Sequence, residues 1–107
     1  SRDPEIVKAY ENDPYVHDRI SLNMLFGIME RGLYALQNGS LLNCSTLVLH
    51  GEEDRITSCP ASREMAATNP EYIHLKTWPG CYHELQNEPC KNQVFEYILN
   101  WLNRKLT

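Results

Sequence analysis

Apolar residues in the first part of this chain recur with the period of a helix. After Ser21 they return every three or four positions, at Leu22, Leu25, Phe26, Met29, Leu33 and Leu36. Ser21 is a typical N-cap residue and Gly39 a typical C-cap residue. The pattern predicts a helix over residues 21–36. Its apolar stripe is typical of core packing, with the wall of a binding site as the alternative.

From residue 45 onward the pattern changes to short apolar runs separated by helical stretches. Thr46–Leu49 is continuously apolar after its threonine, which is typical of a strand buried on both faces of a parallel sheet. Tyr72–Trp78 alternates as a second strand, and helices are predicted after Ser58 and over residues 90–106. The order strand, helix, strand, helix predicts a parallel α/β sheet covered by helices. Two strands make a small sheet, so we expect earlier strands to lie elsewhere.

Length and composition limit the classes of partner. The chain has 107 residues, enough for one small domain or part of a larger one. Its 10 basic and 14 acidic residues give a net charge of -4, and the basic residues form no cluster. Both features argue against a nucleic-acid partner. No apolar run approaches the roughly 20 residues that a transmembrane helix needs. The first residues do not resemble a signal peptide, so we expect a cytoplasmic protein, either free or peripheral to membranes.

The candidate chemistry lies in the loops that follow the two predicted strands. Asp54 follows the first strand and His83 follows the second. Parallel strands bring their carboxyl ends to one edge of a sheet, so these two side chains can meet there. A carboxylate that accepts the Nδ1 proton of a histidine leaves Nε2 free as general base and later general acid. A loop acid can also be a turn former or a helix cap, and Glu52 and Glu53 are alternatives to Asp54.

The other histidines carry weaker signals. His74 lies within a predicted strand. His17 and His50 have no obvious acidic partner along the sequence. We therefore expect His83 to be the histidine of the site.

The cysteines offer one alternative kind of site. Cys44, Cys59, Cys81 and Cys90 include no C-x-x-C pair, which argues against a zinc ribbon. Cys81 and His83 together with another cysteine leave a thiol or metal site open as an alternative. We expect free thiols, no metal and no cofactor.

At this point the sequence resembles a known family. The segments Leu49–Ile56 and Tyr82–Pro89 place Asp54 and His83 29 positions apart. Together they resemble the α/β-hydrolase superfamily, and more narrowly the monoacylglycerol lipase and lysophospholipase branch, also called serine aminopeptidase S33-like hydrolases. The resemblance implies that Asp54 is the acid and His83 the base of a catalytic triad.

The resemblance also implies how the chain is divided. Residues 1–20 resemble the end of the cap, or lid, and residues 21–107 resemble the C-terminal part of the hydrolase core. The expected fold is thus a C-terminal fragment of an α/β-hydrolase, with two parallel strands, covering helices and the helical exit from the cap. Glu84 and Glu88, which flank the histidine, are expected to face solvent or to be structural.

The nucleophile motif of the family is missing from these 107 residues. The motif G-x-S-x-G needs two glycines four positions apart. The glycines stand at 27, 32, 39, 51 and 80, and no two have that spacing. We therefore expect the serine and the oxyanion hole to lie outside this chain, in a missing N-terminal part of the same fold.

Two hypotheses about function follow. In the first, the chain is the C-terminal portion of a serine hydrolase that cleaves carboxylic esters of the acylglycerol or lysophospholipid type. The complete enzyme binds a small lipid or ester, and the chain alone is inactive because it lacks the serine. In the alternative, the chain is a non-catalytic binding or self-assembling module derived from a hydrolase, which forms homo-oligomers through an exposed sheet edge.

Overall fold

A computed structural model describes residues 1–106 of the chain. The helices and strands follow in the order α1 (Pro4–Glu11), α2 (Leu22–Asn38), β1 (Thr46–Gly51), α3 (Cys59–Thr68), β2 (Ile73–Trp78) and α4 (Lys91–Leu106). Short 3-10 turns cover Gly39–Leu41 and Leu85–Asn87. Within the described residues, no helix is long and apolar enough to cross a membrane.

Helices α2 and α3 begin where the cap residues of the sequence predict, and α1 begins after a cap residue of the same kind. The side chains of Asp3, Ser21 and Ser58 each accept a backbone N–H from the first turn of α1, α2 and α3. These contacts satisfy donors that have no partner within the helix. Pro4 stands at the start of α1, where its missing N–H costs nothing.

The sheet is parallel, as predicted. β1 pairs with β2 from Thr46 opposite Ile73 to Gly51 opposite Trp78. With α3 as the crossover between the strands, this is an α/β unit, and the predicted fold class is confirmed. The prediction that the first strand is buried on both faces is wrong for Thr46–Leu49, which is only half-buried. Among residues 1–106 the sheet has two strands, so each has an unpaired edge.

The core lies between the sheet and α4, beneath the loop that carries His83. Its buried residues are Cys81, Leu85 and Val94. Leu49 and Trp78 of the strands pack against this cluster, as do residues 90 and 98. The loop after β2 is therefore anchored to the core on both sides of His83.

The prediction that the stripe of α2 is core is wrong for the described chain. Most of the large apolar side chains of this helix are exposed, namely Leu22, Met24, Leu25, Phe26, Ile28, Met29, Leu33 and Tyr34. α2 contacts α3 and the short turn that follows it. The helical period predicts the helix correctly, but within residues 1–106 most of the stripe is uncovered, and of its members only Leu36 is half-buried.

Candidate active site

The two loops that carry Asp54 and His83 are joined through their backbones. The N–H of Glu53 donates to the carbonyl of Cys81 over 3.0 Å, and that of Glu52 donates to Trp78 over 3.0 Å. Gly51 permits this approach, because a Cβ there would overlap the backbone of Cys81 and Tyr82. A glycine is therefore required where β1 ends, and it lets the Asp54 loop lie against the His83 loop.

Asp54 and His83 form a direct hydrogen bond. Nδ1 of His83 lies 2.7 Å from Oδ2 of Asp54. The Asp54 side chain is only 2% exposed, whereas that of His83 is 42% exposed. The carboxylate is thus shielded from water, and the imidazole that it orients is open to an approaching molecule.

The loop after β1 folds around the Asp54 carboxylate. Oδ1 accepts the backbone N–H of Ile56 over 2.7 Å and that of Thr57 over 3.1 Å. The Thr57 hydroxyl donates to Oδ2 over 2.7 Å. This turn fixes both carboxylate oxygens and leaves Oδ2 facing His83.

These contacts keep Asp54 ionised. Burial alone would raise the pKa of Asp54. The hydrogen bonds from His83, the Thr57 hydroxyl and the backbone of Ile56 and Thr57 outweigh burial, so the pKa lies well below its usual range. An ionised carboxylate only accepts hydrogen bonds, so Nδ1 of His83 carries the proton. In a neutral ring, Nε2 of His83 is then the basic nitrogen.

His50 contacts the same carboxylate, which the sequence interpretation missed. Its Nε2 lies 3.3 Å from Oδ2 of Asp54, and its Nδ1 lies 2.8 Å from Oγ of Ser62. The expectation that His50 has no acidic partner is wrong. The spacing of four residues between His50 and Asp54, across the end of a strand, is a signal that could have suggested the contact.

The rival residues have other partners. Glu52 accepts hydrogen bonds from Thr77 over 2.7 Å and from Arg63 over 2.9 Å. His74 stacks edge-on against Trp101 on α4. Glu53 is exposed at the surface. Of the candidate acids, the structure brings Asp54 to His83.

The His83 loop is held by a buried carboxylate that comes after it in the chain. Glu88 is fully buried, and it accepts the backbone N–H of Tyr82 over 2.9 Å and Nε of Arg2 over 2.8 Å. Burial opposes ionisation, but Arg2 and the Tyr82 N–H lower the pKa of Glu88 overall. Gly80, with φ 70°, makes the turn that precedes the loop. Of the two expectations for Glu88, the structural one fits these contacts.

Cys81 lies against another cysteine. Its Sγ is 3.1 Å from Sγ of Cys90. Burial, together with the hydrogen bond to Cys90, raises the pKa of Cys81 to about 11, so the thiol stays protonated at neutral pH. Among residues 1–106, no group of three or more His, Cys, Asp or Glu side chains is arranged to hold a metal ion.

A cleft of about 570 Å³ opens beside His83. One wall is the apolar face of α1, with Ile6, Val7 and Tyr10. The other wall comes from the two strand-end loops and includes Tyr82, over whose ring the guanidinium of Arg55 lies at 5.6 Å. A mainly apolar molecule in this cleft would be next to the imidazole.

Comparison with known proteins identifies the family. The family model described as serine aminopeptidase, S33, matches residues 1–90. The chain belongs to this family of hydrolases. The resemblance to α/β-hydrolases of the monoacylglycerol lipase branch is thereby confirmed.

Relatives within the family are longer than this chain. It is 36% identical to a monoacylglycerol lipase of Mycolicibacterium smegmatis, over 95% of this chain and 37% of that protein. It is 28% identical to a putative monoglyceride lipase of Schizosaccharomyces pombe, over 92% of this chain and 26% of that protein. Its structure matches the crystal structure of Paleococcus ferrophilus monoacylglycerol lipase with a TM-score of 0.81 and 32% identity, over 94% of this chain and 40% of the other. The chain therefore spans about two-fifths or less of the length of these relatives.

Proposed function

We propose that this chain supplies the acid and the base of a serine hydrolase that cleaves carboxylic esters. The observation that carries the proposal is the 2.7 Å contact between Asp54 and His83, at the carboxyl ends of two adjacent parallel strands. In this role Asp54 holds His83 in the tautomer that has its proton on Nδ1. The half-exposed ring then has Nε2 available to take a proton from a serine hydroxyl and return it to the leaving alcohol.

The serine itself comes from polypeptide outside these 107 residues. G-x-S-x-G does not occur within them. In the proposed arrangement, residues 1–20 are the end of the cap and residues 21–107 the C-terminal part of the core. The remaining part of the fold adds the serine, the oxyanion hole and further strands. Without serine attack and oxyanion stabilisation, His83 has nothing to activate, so this chain alone is inactive.

The proposed substrate is a monoacylglycerol or a lysophospholipid, each of which carries one long acyl chain in ester linkage. Proteins named monoacylglycerol lipase match 94–95% of this chain. The cleft beside His83 suits the same class, because its α1 wall is apolar. A monoacylglycerol is the first substrate to test, with a lysophospholipid as the comparison.

The test uses the complete reading frame that encodes this chain. We expect its protein to be labelled on serine by a fluorophosphonate and to hydrolyse monoacylglycerol. Asp54→Asn is expected to lower the rate by on the order of 10⁴-fold, and His83→Ala by on the order of 10⁶-fold, as loss of a triad histidine does. His74→Ala is the matched control and should keep the rate. Absence of labelling, or equal labelling in His83→Ala, would contradict the proposal.

A second candidate function is a self-assembling module. The observations that favour it are the exposed apolar surface of α2 and the unpaired edges of the sheet. Sedimentation of the 107-residue chain separates the two ideas. A strictly monomeric chain at micromolar concentration would contradict self-assembly.

A further inference from the structure

We propose that Cys81 and Cys90 form a site of oxidative modification: a hydroperoxide converts the two thiols into a disulfide that ties the loop carrying His83 to the start of α4. The sequence left a thiol site open at Cys81, and the structure places Cys90 against it as the partner. The inference does not depend on the proposed hydrolase activity, because it concerns only the chemistry of the two thiols.

The first observation is the closeness of the two sulfur atoms. Sγ of Cys81 lies 3.1 Å from Sγ of Cys90. A disulfide has an S–S length of about 2.05 Å, so the two atoms need to approach by roughly 1 Å. The two cysteines are nine positions apart in the chain, and His83 and Glu88 lie between them. The bond would therefore close a short ring that contains the His83 loop.

The second observation is that the two thiols differ in their access to solvent. Cys81 is only 1% exposed, whereas Cys90 is half-buried. Cys90 is therefore the sulfur that an oxidant from solution reaches first. Burial and the hydrogen bond to Cys90 raise the pKa of Cys81 to about 11, so this thiol keeps its proton until it reacts. The guanidinium of Arg2 lies 3.5 Å from the Cys81 sulfur and favours its charged form when that proton leaves.

The oxidation proceeds in two steps. The Cys90 sulfur attacks the outer oxygen of the hydroperoxide ROOH, so that an S–O bond forms and the O–O bond breaks. The thiol proton goes to the leaving alkoxide, which gives ROH and the sulfenic acid Cys90–SOH. The Cys81 sulfur then attacks the Cys90 sulfur, the S–O bond breaks, and the hydroxyl leaves as water with the Cys81 proton. Overall, two thiols lose two electrons and two protons, and the hydroperoxide is reduced to an alcohol and water.

The other two cysteines have different neighbours. Sγ of Cys44 lies 3.8 Å from the hydroxyl of Thr46, and this residue is exposed. Cys59 is buried and interacts with Arg63. We therefore expect the native fold to select the link between Cys81 and Cys90 over links to either of these residues.

The experiment treats the reduced 107-residue chain with hydrogen peroxide and measures its mass. Cys44→Ser in every sample prevents links between chains through the exposed thiol. We expect the loss of two hydrogens within minutes to hours. Cleavage after Glu84 separates Cys81 from Cys90, so their two peptides should remain joined until a thiol reductant is added. An unchanged mass, added oxygen without a link, or a link to Cys59 would overturn the proposal.

A matched variant and a denatured sample show whether the fold selects the link. Cys90→Ser removes one sulfur at nearly constant shape, and should neither lose two hydrogens nor gain thermal stability on the same treatment. In urea, links to Cys59 should appear as well. An equally exclusive link between Cys81 and Cys90 in urea would show that nearness in sequence selects it, which contradicts the proposal.

Thermal unfolding tests the tie to α4. The oxidised chain should unfold at a temperature higher by on the order of 10 °C, because the bond restricts the unfolded chain. Reduction should restore the original unfolding temperature. A disulfide that forms without raising the unfolding temperature would contradict the inference that the bond holds the His83 loop on α4.

Discussion

At the scale of single residues, the site depends on one buried carboxylate and the donors around it. Backbone N–H groups of residues 56 and 57 bind one oxygen of Asp54, and side chains of His83 and Thr57 bind the other. A buried carboxylate without such donors would take up a proton and could not orient an imidazole. The loop sequence after β1 therefore matters as much as the aspartate itself.

The low pKa of Asp54 predicts how stability depends on pH. Because the pKa is lower in the folded chain than in the unfolded chain, the ionised carboxylate stabilises the fold above the unfolded value near pH 4. This contribution is lost as the pH falls further toward the folded value. The free-energy difference between the original chain and Asp54→Asn, from urea unfolding, should be largest at neutral pH and shrink below about pH 4. A difference that is constant with pH would contradict this, and Glu53→Gln in the same loop is the control.

The Thr57 hydroxyl should help to keep Asp54 ionised. Thr57→Val removes the donor to Oδ2 at nearly constant shape, whereas Thr57→Ser keeps a hydroxyl. We expect the pKa of Asp54 to rise in Thr57→Val and to change little in Thr57→Ser, since a hydrogen bond to the charged form favours that form. The ¹³C shift of the Asp54 carboxyl group against pH measures this. Equal titration curves for the two variants would exclude a role for the hydroxyl.

The sequence was informative about residues whose position follows from the backbone. Asp54 and His83 stand just after two parallel strands, so topology alone places them at one edge of the sheet. The contact of His50 with Asp54 depends on which way a side chain leaves the end of β1, which the spacing of residues does not specify. The spacing of residues does not predict the burial of Glu88 either. That burial depends on the packing of Arg2, near the start of the chain, against the loop after β2.

At the scale of the elements, the sequence predicts the helices and strands well and their burial less well. Helices α1 to α3 begin at cap residues that the sequence shows, because capping is a local interaction. Burial depends on what packs against an element. The apolar stripe of α2 was expected to be core, yet most of it is exposed in the described chain.

The end of β1 offers a test of how the two loops are held together. Gly51→Ala would place a Cβ against the backbone of Cys81 and Tyr82, so the loops must move apart. We expect a loss of about 1–3 kcal/mol of stability. We also expect loss of the ¹H NMR resonance of the His83 Nδ1–H proton, which the hydrogen bond to Asp54 shifts downfield. Thermal unfolding and NMR measure the two effects.

Gly32→Ala is the matched control for that substitution. A Cβ at Gly32 has no neighbour within 4 Å, and the residue lies within α2. Alanine should stabilise the helix there by up to about 1 kcal/mol. If Gly51→Ala leaves both the stability and the His83 resonance as they are in Gly32→Ala, the close approach at Gly51 is not what aligns the loops.

At the scale of the whole molecule, the chain has more apolar surface than its own elements cover. Phe26 is 62% exposed and Met29 is 58% exposed. A helix that is apolar on most sides is normally buried. The chain spans 37% of the Mycolicibacterium smegmatis relative and 40% of the Paleococcus ferrophilus structure. We therefore expect the proposed missing part of the fold to pack against this surface. Without that cover, the surface is free to bind a second copy.

This surface leads to a prediction about association in solution. The 107-residue chain should self-associate at micromolar concentration, and Phe26→Glu combined with Met29→Glu should shift it to monomer, since charges on an apolar contact oppose its burial. Stability should change little, because both side chains are largely exposed already. Asn23→Glu with Gln37→Glu adds the same charge at polar positions of the same helix and is the control. Sedimentation velocity measures the association. If the control pair of substitutions dissociates the assembly equally, the added net charge is responsible. If the original chain is monomeric, the exposed stripe of α2 does not drive association.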